Sequence, residues 1–394
     1  MKNRATLFLA SLTALLACSE DPPAATIPVC PVSGPPEAFI AATFNTALGP
    51  GLDVPYAAER LDPDAQAIAA AHWSVLCLNE AWTDADRTAI LAALALPAEQ
   101  VVTADTRGQN EDPRDRCSPG ELDDGLACIR MECDGLPDRD VTSCATQKCQ
   151  LEGFLLYEKH PRCFNCVVAS AGKSADQIEA SCNGFGDSRL FGGRNGVILA
   201  SRLPLRNAES IPLPSSEANR VALFATVDVG GLPLEVACTH LSAAVGFIAP
   251  TYTGFPDWNA EMIAQIRLVS RRLKARAGNG PQLLLGDLNT GPARGGDGQT
   301  DAPEVWDEIR KLGFEDPAGD ANPPICSRCQ DSLIAPTGGS ESLIDHVLTR
   351  GGRVPKPECA ERSFDDRITI TDFAGRPVET NRSDHYGISV RFSP

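Results

Sequence analysis

The sequence is short of basic residues, and this shortage limits the partners that its surface can hold. It has 35 lysines and arginines against 52 aspartates and glutamates, so its formal net charge is −17. Such a surface is poorly suited to binding a polyanion by counterion release, and there is no lysine-rich arm to secure a duplex. A nucleic-acid substrate is not excluded, because a metal ion and a local basic groove can reverse the field at one site.

Long apolar runs and internal repeats are also missing from the body of the chain, which argues against a transmembrane helix and a repeat architecture. With 394 residues, 43% of them hydrophobic, the chain can bury a substantial core in one large domain or two smaller ones. One sustained apolar run, Ala5 to Ala17, follows Lys2 and Arg4. This pattern is typical of an export signal and is too short to span a bilayer comfortably.

The export signal ends in Leu15-Leu16-Ala17-Cys18, which resembles a bacterial lipobox. By that resemblance residues 1–18 form a lipoprotein signal peptide, and Cys18 becomes the lipidated first residue of the mature chain. Ser19 follows it, which by the same resemblance favours the outer membrane of a Gram-negative cell, and residues 19–36 are read as a Pro-rich tether. An ordinary secretory signal with a chance cysteine is the alternative. We therefore expect an exported protein held at the membrane by its N-terminal lipid.

The cysteine content agrees with export. Fourteen of the 15 cysteines remain when Cys18 is set aside, and an exported chain should hold most of them as disulfides. Residues 105–185 show neither helical nor strand periodicity and contain eight cysteines, so we predict a disulfide-stapled insertion there. These eight are Cys117, Cys128, Cys133, Cys144, Cys149, Cys163, Cys166 and Cys182.

Two cysteine patterns leave alternatives open. Cys163/Cys166 and Cys326/Cys329 have C-x-x-C spacing, which is also the spacing of a zinc ribbon. Cys77 and Cys238 lie in apolar runs that resemble strands, where they would be buried thiols or a bridge between strands.

The order of predicted elements favours an α+β fold. Helical patterns cover 62–72, 83–96, 259–276 and 302–314, with Asp62 as N-cap and Pro63 in the first turn of the first helix. Gly230-Gly231 predicts a hairpin. Apolar runs predict strands at 37–48, 74–80, 193–205, 220–229, 232–241, 281–289, 342–350, 368–373 and 385–392. Strands are often adjacent in sequence, which favours two sheets covered by helices over an alternating parallel sheet.

Polar side chains recur where these strands begin or end. The run LLLGDLNTGP, for example, takes a buried strand directly to Asp287 and Asn289. Turn chemistry explains one such ending, but it explains the whole set poorly, and three of the five histidines fall within it. The set is Asn45, Glu80, His240, Asp287, Asn289, Asp345 with His346, and Asp384 with His385.

These motifs, in this order, resemble the endonuclease/exonuclease/phosphatase superfamily from about residue 37 to 394, apart from most of the insertion. The motifs are Phe44-Asn45, Leu78-Asn79-Glu80, Asn195-Gly196 with Ala200-Ser201-Arg202, Thr239-His240-Leu241, Gly286-Asp287-Leu288-Asn289, Ile344-Asp345-His346 and Ser383-Asp384-His385. The family often has Gln where this chain has Asn79 and an aromatic residue where it has Leu288. We expect neither departure to touch a functional group.

The resemblance implies a four-layer α/β/β/α sandwich with two mixed β-sheets and a metal-dependent phosphodiesterase activity. Phosphodiester hydrolysis needs an activated water for in-line attack and neutralised phosphate charge, and a hard cation such as Mg²⁺, or else Mn²⁺ or Ca²⁺, suits oxygen ligands. Glu80 is the main expected ligand, and the resemblance adds Asn45 and Asp384.

The remaining residues receive roles in proton transfer and phosphate binding. Asp287 and Asn289 are expected to orient the water and the phosphate. His385 is a candidate base or phosphate contact, because imidazole titrates near neutral pH, and family precedent makes Asp345 its orienting partner. Asp287 and His385 therefore remain rival bases. His240 would donate to a phosphate oxygen or to the leaving group, and Asn195 and His346 are further candidate phosphate contacts.

The substrate stays open at this level. Residues 242–258 gather four aromatic residues, Phe247, Tyr252, Phe255 and Trp258, in a chain that is only 6% aromatic. Such a segment would stack bases, enter a lipid interface or pack on the insertion. We expect a monomeric, nuclease-like phosphodiesterase acting on nucleic acid or a phospholipid headgroup. A sphingomyelinase-like phospholipase C, a phosphomonoesterase and a non-catalytic surface binding protein are the alternatives.

Overall fold

The computed structural model describes residues 27–30, 38–49, 54–106, 116–184, 189–216, 218–244, 250, 253–292, 301–335 and 341–393. The predicted signal peptide and most of the tether lie outside these residues, as do Phe247 and Tyr252. Among the helices so described, none is both long enough and apolar enough to cross a membrane.

The described residues form strands that are numbered here in chain order. They are β1 (Ile27–Pro28), β2 (Phe39–Asn45), β3 (Val75–Asn79), β4 (Val101–Thr103), β5 (Ile198–Ser201), β6 (Leu205–Leu213), β7 (Arg220–Val229), β8 (Leu232–His240), β9 (Gln282–Asp287), β10 (Ala321–Asn322), β11 (Asp345–Arg350), β12 (Pro357–Ser363), β13 (Arg367–Thr371), β14 (Pro377–Asn381) and β15 (Gly387–Phe392).

Two mixed sheets pack face to face. One has six strands in the order β12-β15-β2-β3-β5-β4, and the other has five in the order β11-β9-β8-β7-β6. The pairs β2–β3 and β8–β9 are parallel, and the other neighbours are antiparallel. Alternate residues such as Val75, Leu199, Leu223, Val236 and Leu285 meet between the sheets and form the central core.

Helices cover both outer faces, so the predicted four-layer α/β/β/α sandwich is confirmed. Apolar residues of α1 (Ala57–Ala70) and α2 (Asp84–Leu94) pack on the six-stranded sheet. Those of α8 (Trp258–Ala277) and α9 (Pro303–Lys311) pack on the five-stranded sheet. In α8 the buried residues Met262, Ile266, Val269 and Leu273 follow helical spacing and form one stripe.

Local sequence signals located α2 well and α1 poorly. Thr83 caps α2 in a reciprocal box with Asp86, as the spacing predicts. The predicted start of α1 at Asp62 and Pro63 is wrong, because the helix begins at Ala57 and Pro63 lies inside it. Its first turn is held by tertiary contacts of Arg60, whose guanidinium donates to the carbonyls of Thr46 and Ala47.

The insertion is helical, which its sequence pattern did not show. It comprises α3 (Asp123–Glu132), α4 (Asp138–Lys148), α5 (Gln150–Lys159), α6 (Pro161–Ala169) and α7 (Ala175–Asn183). Four disulfides staple these helices: Cys117–Cys163, Cys128–Cys149, Cys133–Cys144 and Cys166–Cys182. Half-cystines supply much of its small core, so the aliphatic periodicity that reveals a helix is weak here.

The other disulfides are Cys30–Cys359, Cys77–Cys238 and Cys326–Cys329. All fourteen cysteines that follow Cys18 are therefore paired, and neither C-x-x-C motif leaves thiolates for a zinc ion. Cys77 and Cys238 form the bridge between strands that was one of the two expectations. This bridge joins β3 to β8 and so ties the two sheets together inside the core.

Candidate active site

The polar strand ends meet at one edge of the sandwich. The parallel pair β2–β3 ends with Asn45 opposite Asn79, and the parallel pair β8–β9 ends with His240 opposite Asp287. The antiparallel strand β11 begins at this same edge, with Asp345 opposite Asp287. Sheet register thus places groups that are far apart in sequence beside one another.

The carboxylate of Asp287 lies at the centre of the cluster. Its Oδ2 atom accepts a hydrogen bond of 2.8 Å from Asn45 Nδ2. The same oxygen lies 3.5 Å from His240 Nε2 and 3.8 Å from His385 Nδ1. Burial and the charge of Asp345 raise the pKa of Asp287 to about 7. This carboxyl can therefore exchange a proton near neutral pH.

Glu80 lies beside Asp287 and shares its amide partner. Glu80 Oε1 accepts from Asn45 Nδ2 at 3.0 Å, and Oε2 accepts from Trp82 Nε1 at 3.4 Å. Burial raises the pKa of Glu80, and the nearby charge of Asp384 adds to this. Buried acids that repel one another are what a bound cation would neutralise.

The pKa values of the two histidines in the cluster are shifted in opposite directions. Burial disfavours the charged form of His385, but Asp345, Asp384 and Asp287 outweigh it and raise the pKa of His385 well above its ordinary value. Burial, with Arg220 and His385 nearby, lowers the pKa of His240 well below its ordinary value. The site thus holds one charged and one neutral imidazole, an arrangement suited to separate proton-transfer roles.

Hydrogen bonds hold His385 and the neighbouring residue Asn289 in place. His385 Nδ1 lies 2.7 Å from Asp345 Oδ2, and His385 Nε2 lies 3.9 Å from Asp384 Oδ2. The backbone N–H of Asn289 donates to Asp287 Oδ1 at 2.9 Å, and its side chain donates to the carbonyl of Leu241 at 3.0 Å. Asp345 thus lies where an orienting partner of His385 is expected.

Asn79 has a larger part than its sequence suggests. Its Oδ1 atom accepts the backbone N–H of Asp287 at 2.9 Å, and its Nδ2 atom donates to the carbonyl of Thr239 at 3.1 Å. Asn79 thus contacts the backbone of Asp287 and not its carboxylate, and it ties the end of β9 to β3 across the gap between the sheets.

Arg60 is a buried residue of the site that sequence reasoning missed. Its guanidinium donates to the carbonyls of Thr46 and Ala47, at 2.9 and 2.5 Å, and to the carbonyl of Arg382. Arg60 therefore holds together the segment that follows Asn45 and the segment that precedes Asp384. No local pattern marks it, because an arginine in the first turns of a helix is normally exposed.

Arg220 and Trp82 complete one wall of the site. Arg220 is buried, its Cζ lies 5.5 Å from the Trp82 ring centroid, and its charge acts on Glu80 and His240. Trp82 stacks on Phe191 at 4.7 Å. The nearby Arg194 pairs with Asp84 at 2.7 Å.

Two predicted phosphate contacts lie outside the cluster. Asn195 is fully buried and donates to the carbonyl of Ala104 at 2.7 Å. His346 points to the other face of its sheet, where its nitrogens lie 3.2 Å from Asp316 Oδ2 and 2.8 Å from the carbonyl of Thr290. Because the polar atoms of His346 are satisfied in the interior, the structure removes it from the site. The aromatic segment is also partly internal, since Trp258 is buried at the start of α8.

The donor set fits a hard divalent cation. Ligand atoms of Glu80, His240 and Asp287 lie within 4.8 Å of one another, and so do those of Asp287, Asp345 and His385. Carboxylate and amide oxygens at such spacing are what Mg²⁺ prefers. Asn45 Nδ2 donates both to Glu80 Oε1 and to Asp287 Oδ2, so this one amide gathers the two carboxylates around one point.

A comparison with known protein families shows which family the chain belongs to. The endonuclease/exonuclease/phosphatase family matches residues 42–385. The chain belongs to this family. The match spans the strand-end residues from Asn45 to His385 and includes the helical insertion. A search of curated protein sequences finds no significant match.

Several solved structures share this fold at low sequence identity. Sphingomyelinase C from Streptomyces griseocarneus is 16% identical with a TM-score of 0.50, over 90% of this chain and 99% of that one. The beta toxin of Staphylococcus aureus, as a mutant with bound magnesium ions, is 12% identical with a TM-score of 0.52, over 91% and 100%. D. rerio TDP2, complexed with a single-stranded DNA product, is 14% identical with a TM-score of 0.50, over 91% and 99%.

Proposed function

We propose that this protein is a divalent-metal-dependent phosphodiesterase of nuclease-like activity that hydrolyses its substrate by in-line attack of an activated water. The observation that carries the proposal is the position of Asp287, whose one oxygen lies within 3.8 Å of Asn45, His240 and His385 beside the acid Glu80. Family membership supports the reaction class. An idle site has no need of so many converging polar strand ends.

The electrostatics divide the roles between the rival bases. His385 keeps its proton at neutral pH because three carboxylates surround it, so it suits donation to a phosphate oxygen. Asp287, with a pKa of about 7, is then the base that takes a proton from the attacking water. His240 is neutral, and its Nε2 atom lies 3.5 Å from Oδ2 of Asp287. From this position Nε2 can donate to the phosphate or to the leaving group.

The remaining side chains hold and orient. Glu80, Asn45 and Asp384 would bind the cation, which when present neutralises phosphoryl charge and favours formation of the nucleophile. The backbone N–H of Asn289 donates to the carboxylate of Asp287, and the side chain of Asn79 accepts from the backbone N–H of Asp287, so the two asparagines hold Asp287 in place. The buried charge of Arg220 faces Glu80 and His240, and so it suits a contact with the anionic substrate.

A sphingomyelinase-like phospholipase C is the second candidate. The net charge of −17 disfavours a nucleic-acid polyanion, and several large apolar side chains are exposed on the insertion, including Met131 and Leu151. We also propose that the enzyme is exported and anchored in an outer membrane through lipid on Cys18. The seven disulfides support an oxidising compartment.

A substrate panel tests these assignments. The purified protein is incubated with plasmid DNA, RNA, sphingomyelin vesicles or an aryl phosphodiester, each with Mg²⁺ and with chelator. Nicking of DNA without lipid cleavage supports the nuclease, and lipid cleavage alone supports the phospholipase. His385→Ala should lose activity on the substrate that is cleaved, whereas His346→Asn, at the internal histidine, should not. Failure to hydrolyse any phosphodiester with metal present would refute the proposal.

A further inference from the structure

The helical insertion contains an apolar cavity that the candidate active site does not use. The cavity has a volume of about 790 Å³ and lies among α3, α4, α5, α6 and α7. That volume falls in the range of sites that hold small molecules. Its walls are mainly hydrocarbon and include Ile129, Val141, Leu156, Phe164, Val167 and Ile178. A ligand that fills it must therefore carry a substantial apolar part.

Exposed apolar side chains concentrate around this cavity. Among the described residues eight large apolar side chains are exposed, and five of them belong to the insertion. Leu151 and Phe154, 65% and 45% exposed, line the cavity itself. Clustered exposed apolar residues on a soluble surface mark a binding site more often than single ones do.

An acidic pocket adjoins the apolar cavity. This pocket has a volume of about 410 Å³ and carries the carboxyl groups of Glu121 and Asp124 together with Glu152. Lys159 and His160 also line it, and His160 Nδ1 lies 3.0 Å from Glu121 Oε1. Three carboxylates thus face one lysine and one histidine, which leaves an excess of negative charge. The two spaces share Gly125, Glu152 and Leu156.

We propose that the insertion binds a single-chain amphiphile with a cationic head, of the alkylammonium class. The chain lies in the apolar cavity, and the ammonium group lies in the adjoining pocket near Asp124 and Glu152. This charge complementarity selects the occupant, because the same carboxylates repel a fatty acid or another anionic head. The binding does not require the phosphodiesterase activity.

The insertion borders the candidate active site. Helix α6 packs against the turn Leu190–Gly193, and Phe191 in that turn stacks on Trp82. Trp82 in turn donates to Glu80. An amphiphile bound by the insertion is therefore held on the module that adjoins this wall of the site.

Two glycines allow the cavity to be filled without disturbing the helices. A Cβ atom added at Gly125 or Gly153 meets no atom within 4 Å, and both glycines line the apolar cavity. Gly125→Trp and Gly153→Phe should therefore occupy the space that the alkyl chain needs. Gly125→Ala and Gly153→Ala are matched controls, because alanine favours the helix and leaves most of the cavity open.

Calorimetric titration of the disulfide-intact protein tests the proposal. The probe is dodecyltrimethylammonium below its micelle-forming concentration, with dodecanoate and tetramethylammonium as comparison ligands. We expect one site for the probe, at least tenfold weaker binding of each comparison ligand, and at least tenfold weaker binding of the probe to Gly125→Trp and Gly153→Phe. The alanine controls should bind as the unchanged protein does.

The charged end has its own test. The double substitution Asp124→Asn with Glu152→Gln should weaken binding of the probe at least fivefold. It should also reduce the ratio of the affinity for the probe to the affinity for dodecanoate. Equal affinity for dodecyltrimethylammonium and dodecanoate would overturn the proposal, and so would undiminished binding of the probe to Gly125→Trp. Binding of the protein to zwitterionic vesicles without binding of the monomeric probe would also overturn it. Hydrolysis of the aryl phosphodiester is followed in every variant and should not change, so a failure of amphiphile binding is distinct from a failure of catalysis.

Discussion

Asp345 and His385 approach each other to 2.7 Å across the gap between the two sheets. Asp345 is the first residue of β11 in the five-stranded sheet, and His385 precedes β15 in the six-stranded sheet. The pair therefore forms only when the sheets pack in their native relation. Its geometry fixes which ring nitrogen of His385 faces the rest of the site.

Asp345→Asn should impair catalysis while the protein still folds. The amide cannot stabilise the imidazolium of His385, so its pKa should fall toward the ordinary value. We expect kcat to drop about a hundredfold to ten-thousandfold, and the alkaline limb of the pH profile to move to lower pH. Steady-state rates on the aryl phosphodiester between pH 5 and 10 measure both effects.

A second buried histidine–carboxylate pair provides the control for Asp345→Asn. His346 and Asp316 lie 3.2 Å apart on the outer side of the five-stranded sheet, under Trp306. Asp316→Asn should cost about 1.5–3 kcal/mol of unfolding free energy and leave the pH profile of kcat in place. If both substitutions shift the profile alike, the special role of Asp345 is refuted.

The sequence predicts the polar strand ends of the candidate site because their signal is local. An apolar run that stops on Asp287 or His240 is visible within ten residues, and the order of such runs indicates the family. The contacts between sheets are not local. Asn79 reaches Asp287 over 208 positions, and Arg60 reaches Arg382 over 322, so neither role has a sequence pattern.

The helices of the insertion escaped prediction for a different reason, although the disulfide-stapled insertion itself was predicted. Its helices are short, and half-cystines such as Cys128, Cys149 and Cys166 fill core positions that aliphatic residues occupy elsewhere. A pattern search that weighs aliphatic periodicity therefore finds none. His346 was misplaced because a one-residue step along β11 turns its side chain to the opposite face from Asp345.

Arg60→Lys should lower both the stability of the protein and the affinity of the candidate site for Mg²⁺. Lysine keeps the charge but cannot donate at once to the carbonyls of Thr46, Ala47 and Arg382. We expect a loss of about 2–4 kcal/mol in unfolding free energy and a several-fold weaker apparent affinity for Mg²⁺, because the segments that carry Asn45 and Asp384 lose their brace. Thermal unfolding and metal titration measure the two effects.

Arg350→Lys is the matched control for Arg60→Lys. Arg350 donates to Gln282, to Ser270 and to the carbonyl of Leu312 at the other end of its strand. Its replacement should lower stability while leaving the Mg²⁺ affinity unchanged. Equal losses of metal affinity in the two variants would show that Arg60 has only a general structural role.

Removal of the Cys77–Cys238 bridge should lower the free energy of unfolding substantially. It closes a long loop and joins the sheets two residues before Asn79 and His240. Cys77→Ala with Cys238→Ala should lower the unfolding free energy by roughly 4 kcal/mol, and Cys326→Ala with Cys329→Ala, which opens a very short loop, by roughly 1.5 kcal/mol. Denaturant unfolding gives both values, and a larger loss for the short loop would contradict the expectation.

Binding of Mg²⁺ should release protons below neutral pH. Burial and Asp345 raise the pKa of Asp287 to about 7, and burial raises that of Glu80, whereas metal binding favours the deprotonated acids. Below pH 7 the cation must displace a proton, so its apparent affinity should fall by up to about tenfold per pH unit for each proton released. Titration calorimetry in two buffers of different ionisation enthalpy counts the protons.

The sign of the linked stability change follows from the same groups. In the metal-free protein Asp287 holds its proton up to a higher pH than in the unfolded chain, so its contribution to stability decreases as pH rises from about 4 to about 7. Saturating Mg²⁺ should reverse this trend, and the gain in Tm on adding Mg²⁺ should be larger at pH 8 than at pH 6. Asp287→Asn should reduce both proton release and the pH dependence of the gain. Proton release that is the same at pH 6 and pH 8.5, with a gain in Tm that does not depend on pH, would show that these acids are already ionised in the metal-free site.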